Sequence, residues 1–462
     1  MASGGLRRAM PEGSGLTART FSSLRIRNYR MYFAGQSLSM VGTWMQMTTQ
    51  SWLVLSLTNS GFQLGLVIAL QTLPILVLCP IGGTIADRFG KYRILFLTQG
   101  LAGAQAFLLA GLELSGHLQI WELYILAVSL GTINMVDNPT RQTFIVEMVG
   151  RHELPNAVTL NSVMVNVARA IGPGIAGVLI AAVGSGWCFL INGISFGFVL
   201  AGLKLIRQDQ LTPALRATKM KGQLLEGFRY VARTPVLRDT LIMMGLVGML
   251  AYEFQVTLPL MAKHTFGGGS ALYGFFNSAQ GVGAIVGGLI AAGRSGRSPS
   301  RLVNTALAFG VVILLAAVAP NSVVEIIVLL FVGAASVTFL SLGNAILQLE
   351  AEPSMRGRVM SLWSVAFQGS TPIGGPLVGV IGGAFGARFG LGVGGLACLG
   401  AAAVGYVTLV RRRRDDAPEQ AGDEAVAADP LSTAAVTVDG RADTGPPRTD
   451  GPQRIPSAPR PA

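Results

Sequence analysis

Charge is scarce in this chain. Only 13% of its 462 residues are Asp, Glu, Lys or Arg, against about a quarter in an ordinary soluble domain. That shortage excludes a water-facing globular surface over most of the sequence, because ionised groups placed in lipid or between packed helices are costly. Cysteine is scarcer still. Cys79, Cys188 and Cys398 each fall inside an apolar run, with neither metal-ligand spacing nor a disulfide framework. The three histidines, His117, His152 and His264, lie in separate predicted loops, so no clustered set points to a membrane-embedded enzyme. A Gly-x-x-x-x-Gly-Lys-Ser/Thr phosphate loop is also missing, which argues against ATP hydrolysis by the chain itself. The first thirty residues are basic and polar with no apolar core before Met31. A cleavable signal peptide is therefore not expected, and the first span serves as the insertion signal.

What is present is hydrophobic length. Hydrophobic residues make up 51% of the chain, and the mean hydropathy is +0.53. Roughly twenty apolar residues cross the hydrocarbon core as a helix. Apolar runs predict twelve spans, near 31–57, 62–86, 93–113, 120–138, 157–183 and 187–206, then 240–262, 271–293, 302–319, 323–348, 359–384 and 389–410. Sixty glycines suit close helix contacts, which small residues permit. The net charge of +12 does not signal nucleic acid, because the basic residues sit in short blocks between spans. With both termini inside, 28 of the 35 Lys and Arg fall in cytoplasmic segments. Only Lys263 and Arg388 fall in outside loops, and this alternation follows the positive-inside rule.

The chain also repeats. Shifting 157–178 onto 359–380 aligns Leu160 with Leu362, Ser162 with Ser364 and Val163 with Val365. Ile171-Gly172 then falls on Ile373-Gly374, Gly177-Val178 on Gly379-Val380, and Asn166 on Gln368. Spans 5 and 11 are thus equivalent members of two six-span halves. Parallel repeats of this kind are a transporter architecture, with the solute path between the halves. The expected organisation is a basic cytoplasmic N-terminus (1–30), a six-helix bundle (31–206) and a connector (207–238) carrying a short amphipathic helix near 224–231. A second six-helix bundle (239–410) follows, then a basic stop leading into a disordered cytoplasmic tail (411–462).

The most specific local signal lies between spans 2 and 3, Gly82-Gly83-Thr84-Ile85-Ala86-Asp87-Arg88-Phe89-Gly90-Lys91-Tyr92-Arg93. It resembles the Gly-x-x-x-Asp-Arg-x-Gly signature of the major facilitator superfamily. The resemblance implies a cytoplasmic gate in which Gly83 admits a neighbouring helix and Asp87 faces the positive end of another. Arg88, Gly90, Lys91 and Arg93 would complete it. Asp137 and Arg141, at the end of span 4, resemble the acid and base that join this gate. The equivalent second-half loop, 288–297, keeps glycines and basics but lacks the acid.

Three further groups are candidates for transport itself. In span 5, Ser162, Asn166, Arg169 and Pro173 share one helical face, and Arg169 falls near the bilayer middle, where it needs a cavity or a partner. Gly172-Pro173 with Gly177 resembles part of the span 5 signature of superfamily antiporters, although position 168 is alanine. Pro173 should bend the helix. Span 7 supplies Glu253, the one carboxylate deep in the second half. Desolvation favours the neutral form of such a group, so Glu253 is a candidate proton site, with Arg169 as a possible ion partner. Gln36, Gln46 and Gln50, with Ser39, Trp44 and Met45, give span 1 an amide-rich side. Gln71, Asn166, Gln255, Asn277, Gln280 and Gln368 extend the candidate cavity lining.

The stretches 144–172 and 356–376 resemble the branch of the superfamily that contains enterobactin exporters and macrolide-type efflux pumps. The reading is an all-α membrane protein of the major facilitator fold that exports a small amphipathic solute from the cytoplasmic membrane by proton antiport. It needs no cofactor beyond the proton gradient and acts as a monomer in lipid. Uptake of a nutrient by the same fold is the alternative; a solute sensor or membrane enzyme is a remote one.

Overall fold

The computed structural model describes residues 21–212, 223–293, 298–367 and 369–411, with the side chains of 78–88 and 223–225 left aside. All regular structure among them is helical. In the first half of the chain, α1 spans Arg27–Thr58, α2 Gly61–Arg88, α3 Lys91–Leu114, α4 Ile120–Val183 and α5 Ser185–Lys204. A short surface helix, α6 (Gln223–Arg233), precedes α7 (Pro235–Leu250) and α8 (Phe254–Leu260). Then come α9 (Ser270–Gly293), α10 (Pro299–Ala317), α11 (Ser322–Glu350), α12 (Arg356–Phe367), α13 (Thr371–Ala384) and α14 (Ala387–Gly405). Eight helical segments among the described residues are long and apolar enough to cross a membrane.

These helices are inverted relative to a soluble bundle. Along α3, Leu97, Leu101 and Leu108 are exposed, while Ala102, Ala106 and Leu109 on the opposite face are buried. Leucines thus stand exposed on one face while alanines and Leu109 meet neighbouring helices on the other, and an apolar outer face is expected where lipid is the solvent.

Three expectations are corrected. Residues 139–156, expected as a loop, are largely helical, so α4 runs for 64 residues. Its one departure from helical dihedrals is Gly150, at φ 70°, a value glycine adopts without penalty. Pro173 lies within it, and helical dihedrals continue through that position. The run expected at 240–262 is not continuous. It breaks at 251–253 between α7 and α8, and the wide-turn segment Met261–Thr265 follows. Pro259 lies inside α8; it has no N–H to donate and crowds the carbonyl four residues back. The run expected at 359–384 is also split, between Phe367 and Thr371. Pro372 opens α13, where its missing N–H costs nothing.

The two halves of the chain meet chiefly through α2 against α13 and the C-terminal arm of α4 against α9. Glycine makes both contacts possible. A Cβ on Gly65 would run into the backbone carbonyl of Gly375, and one on Gly379 into that of Gly61. On the other pair of helices, a Cβ on Gly274 would lie 2.9 Å from the Cα of Gly177. At one end of the molecule, Lys263 Nζ donates to the Leu55 carbonyl at 3.0 Å, and His264 Nε2 lies 3.0 Å from Asn59 Oδ1. At the other end, Ser23 Oγ donates to Asn156 at 2.6 Å, and Arg358 pairs with Glu226 of α6 at 2.7 Å.

Candidate functional site

A cavity of about 370 Å³ lies between the halves. Along α1 its wall includes Gln36 at one end and Gln50 at the other, about 21 Å apart at 1.5 Å per residue. α2 contributes Gln71 and Thr72, α3 Gln99, and α4 Asn134, Asp137, Asn138 and Arg141. Asn192 comes from α5. The second half closes the cavity with Tyr252, Glu253, Gln255 and Thr371. All four lie at or beside the two helix breaks.

The break in the seventh predicted span sets the position of Glu253. The side chain is buried and Oε1 has no hydrogen-bond partner within the protein. It lies against the glycines of α13: a Cβ on Gly374 would sit 3.1 Å from Oε1, and one on Gly375 3.4 Å from Oε2. Thr371 lies beside it on the cavity wall. Beneath, the Tyr252 ring meets Phe367, Phe309 and Phe254 edge-on, with centroids 4.7, 5.7 and 6.1 Å away. Its hydroxyl donates to the Ser336 carbonyl at 2.6 Å. Aromatic packing of this kind holds the non-helical turn rigidly.

A second polar centre surrounds Asp137. Its Oδ1 accepts from Thr98 Oγ1 at 2.7 Å and Gln99 Nε2 at 2.8 Å, and its Oδ2 accepts from Arg141 through Nε and Nη2. The buried carboxylate is fully compensated, as a charge at this depth must be. A chain of amides lies nearby. Asn192 Nδ2 donates to Gln46 Oε1 at 2.6 Å, and Gln46 Nε2 donates to Gln105 Oε1 at 3.0 Å.

Of the residues singled out in the sequence, Gln36, Gln46, Gln50, Gln71, Gln255, Glu253, Asp137 and Arg141 come together around this cavity. Asn166, Asn277, Gln280 and Arg169 are not in its wall. Asn166 and Asn277 donate to the Ser162 and Tyr273 carbonyls of their own helices, at 2.8 and 3.1 Å. The Arg169 guanidinium stacks over Trp44 at 5.7 Å and forms no ion pair with Glu253. Gly172 also faces Trp44, whose Cβ would lie 2.8 Å from an added methyl. Gln368 and the side chains of Gly83, Asp87 and Arg88 lie outside the described residues. Of the remaining loop residues, Gly90 precedes α3, Arg93 is exposed, and Lys91 pairs with Glu147 at 2.5 Å. Lys91 therefore has a partner other than Asp137. Sequence reasoning missed Thr72, Gln99, Asn134, Asn138, Asn192 and Thr371. Gln99 and Asn192 were findable, since a lone amide in an apolar span turns inward.

A multi-pass helical membrane protein with a polar cavity between its halves is built as a transporter of small solutes. The model of the transmembrane secretion effector family matches residues 18–440, and the chain belongs to that family, within the major facilitator superfamily. Its members are transporters, not enzymes. A staphyloferrin A transporter from Staphylococcus aureus (strain NCTC 8325 / PS 47) is 25% identical, over 77% of this chain and 90% of the relative. An enterobactin exporter from Escherichia coli O81 (strain ED1a) is 24% identical, over 77% and 85%. Among solved structures, an inward-facing, unoccupied bacterial homolog of the human lysosomal transporter Spinster aligns with a TM-score of 0.64. That match has 15% identity and covers 83% of this chain and 98% of the other. A nucleoside transporter aligns with a TM-score of 0.66 and 11% identity, covering 83% and 99%.

Proposed function

We propose that the chain is a secondary exporter of a small amphipathic solute in the bacterial cytoplasmic membrane, driven by proton entry and active as a monomer. The observation that carries this reading is Glu253, a buried carboxylate with an unpartnered oxygen, held at a helix break on the wall of a polar cavity between the halves. The names of the relatives, a staphyloferrin A transporter and an enterobactin exporter, support a siderophore-like or other natural-product solute.

The reading includes twelve crossings with both termini cytoplasmic. The eight long apolar helices supply nine, since α4, at about 96 Å of helix, is long enough for two on either side of Gly150. α1, α2 and the α12–α13 pair supply three more. Asp87, Arg88 and Gly83 then belong to a cytoplasmic gate, with Gly90, Lys91 and Arg93 beside it. The contacts of Lys263 and His264 with α1 close the opposite, outer end, so the cavity opens inward. Rocking of the halves about the glycine contacts would expose it alternately to the two sides. Gly172, Pro173 and Gly177 shape one of those contacts.

Accumulation assays test the reading. Cells making the protein should accumulate less of an exported solute than cells without it, and an uncoupler should erase the difference. Higher accumulation in producing cells would reverse the direction, and indifference to the uncoupler would end the proton-coupled reading.

A further inference from the structure

The cavity wall has a consistent hydrogen-bond polarity. Wherever a polar group in it has a fixed orientation, its proton already points into the protein. Arg141 and the Gln99 amide donate to Asp137. Asp137 is acceptor-only when ionised, so the Gln99 amide cannot be reversed, and its Oε1 is left buried without a partner. The Thr43 hydroxyl donates to the Ser39 carbonyl at 2.9 Å and the Thr72 hydroxyl to the Ile68 carbonyl at 3.0 Å. Each retains acceptor lone pairs. The Tyr252 hydroxyl likewise donates to the Ser336 carbonyl, and Glu253 Oε1 is a second buried oxygen without a protein partner.

Charge points the same way. Among the described residues, Arg141 is the one cationic side chain in the wall, and Asp137 neutralises it. Arg169 lies outside the wall over Trp44. Among the described residues a polyanionic solute would therefore meet unpaired acceptors and no free cation, which is costly where water is displaced.

Building on the transporter reading above, we propose that the cavity selects a hydrogen-bond-donating solute, neutral or cationic and bearing several O–H or N–H groups, and rejects polycarboxylates. Gln99 Oε1 and the Thr72 hydroxyl oxygen receive donors on the first-half wall, and Glu253 Oε1 receives them on the second-half wall. A donor-rich solute satisfies both walls at once. The remaining amides, Gln36 and Gln50 among them, can present either atom and so adapt to different solutes.

The test uses the purified full chain in detergent and three probes: doxorubicin (an amphipathic amine with several hydroxyls), tetraphenylphosphonium (a cation without donors) and calcein (a polycarboxylate). Equilibrium dialysis should give the tightest binding for doxorubicin and the weakest for calcein. Gln99→Met should weaken doxorubicin about tenfold, the scale of one lost hydrogen bond. Thr72→Val should weaken it severalfold without disturbing Asp137, which guards against a folding defect in the first variant. Calcein binding as tightly as doxorubicin, doxorubicin binding no tighter than tetraphenylphosphonium, or wild-type doxorubicin affinity in both variants would overturn the proposal. Energised inside-out vesicles give a separate readout. Binding in the expected order with no uncoupler-sensitive uptake would count against the exporter reading and leave the donor rule standing.

Discussion

The C-terminal arm of α4 and the pair α12–α13 are related by the same 202-residue shift, yet one is continuous and the other is broken. The change that bears on the break lies in four adjacent positions. Where α4 has Val167-Ala168-Arg169-Ala170, the second copy has Gly369-Ser370-Thr371-Pro372. Val, Ala and Arg support a helix, whereas Gly, Ser and Pro favour its interruption. The consequence is a difference in where the two midpoints lie. In the continuous copy, Arg169 stays on its helix and stacks on Trp44. In the broken copy, its counterpart Thr371 enters the cavity wall beside Glu253. A repeat can thus keep its packing glycines, Gly177 and Gly379, while its midpoint packs on an aromatic ring in one half and enters the cavity wall in the other.

The largest expected effect tests the broken side. Glu253→Gln should abolish uphill transport while the protein still folds, measured as gradient-driven efflux alongside gel filtration and thermal unfolding. Full gradient-driven activity in that variant would remove the carboxylate from the mechanism. On the continuous side, Ala170→Pro imposes the second copy's proline on α4. It should cost about 3 kcal/mol or more, because its ring meets the Asn166 carbonyl, and thermal unfolding would register that loss. A stable Ala170→Pro protein would mean that the arm of α4 tolerates the break as well.

Healing the break is the converse experiment. The combined change Gly369→Val, Ser370→Ala and Pro372→Ala should reduce transport on the order of tenfold, since a misplaced contact at a site is costly, while raising helical content by circular dichroism. Unchanged transport would show that the interruption is incidental. A smaller effect belongs to Arg169→Gln, which removes the cation–π contact worth about 0.5–2 kcal/mol and should lower stability more than transport. The smallest is Glu226→Gln. Its bond to Arg358 is exposed, with Glu226 61% accessible, and such pairs contribute about 1 kcal/mol or less.

Much of the site was legible because polar groups in apolar spans are rare. Gln36, Gln46 and Gln50 stand out along α1, and Glu253 stands out in the second half, so each could be assigned inward before any packing was known. Asn277 and Gln280 met the same criterion and lie elsewhere. An amide can satisfy itself on its own helix, as Asn277 does with Tyr273, and no periodicity reveals that choice. Asp137 was readable as an acid at a helix end. Its place in the cavity wall depends on Thr98 and Gln99, which lie on a different helix.

Composition and hydrophobic length by themselves determined that this is a multi-pass helical membrane protein, and the signature between spans 2 and 3 pointed to a transporter. Hydrophobic length and the placement of basic residues are properties of single segments in lipid, and they do not wait for tertiary contacts. The tertiary structure alone decided where the spans break, which amides share one cavity and which way their hydrogen bonds run. Those features depend on backbones brought together at glycine contacts such as Gly65 with Gly375 and on carboxylates compensated across helices. Such pairings join residues from different helices, from tens of positions apart (Asp137 with Gln99) to hundreds (Gly65 with Gly375).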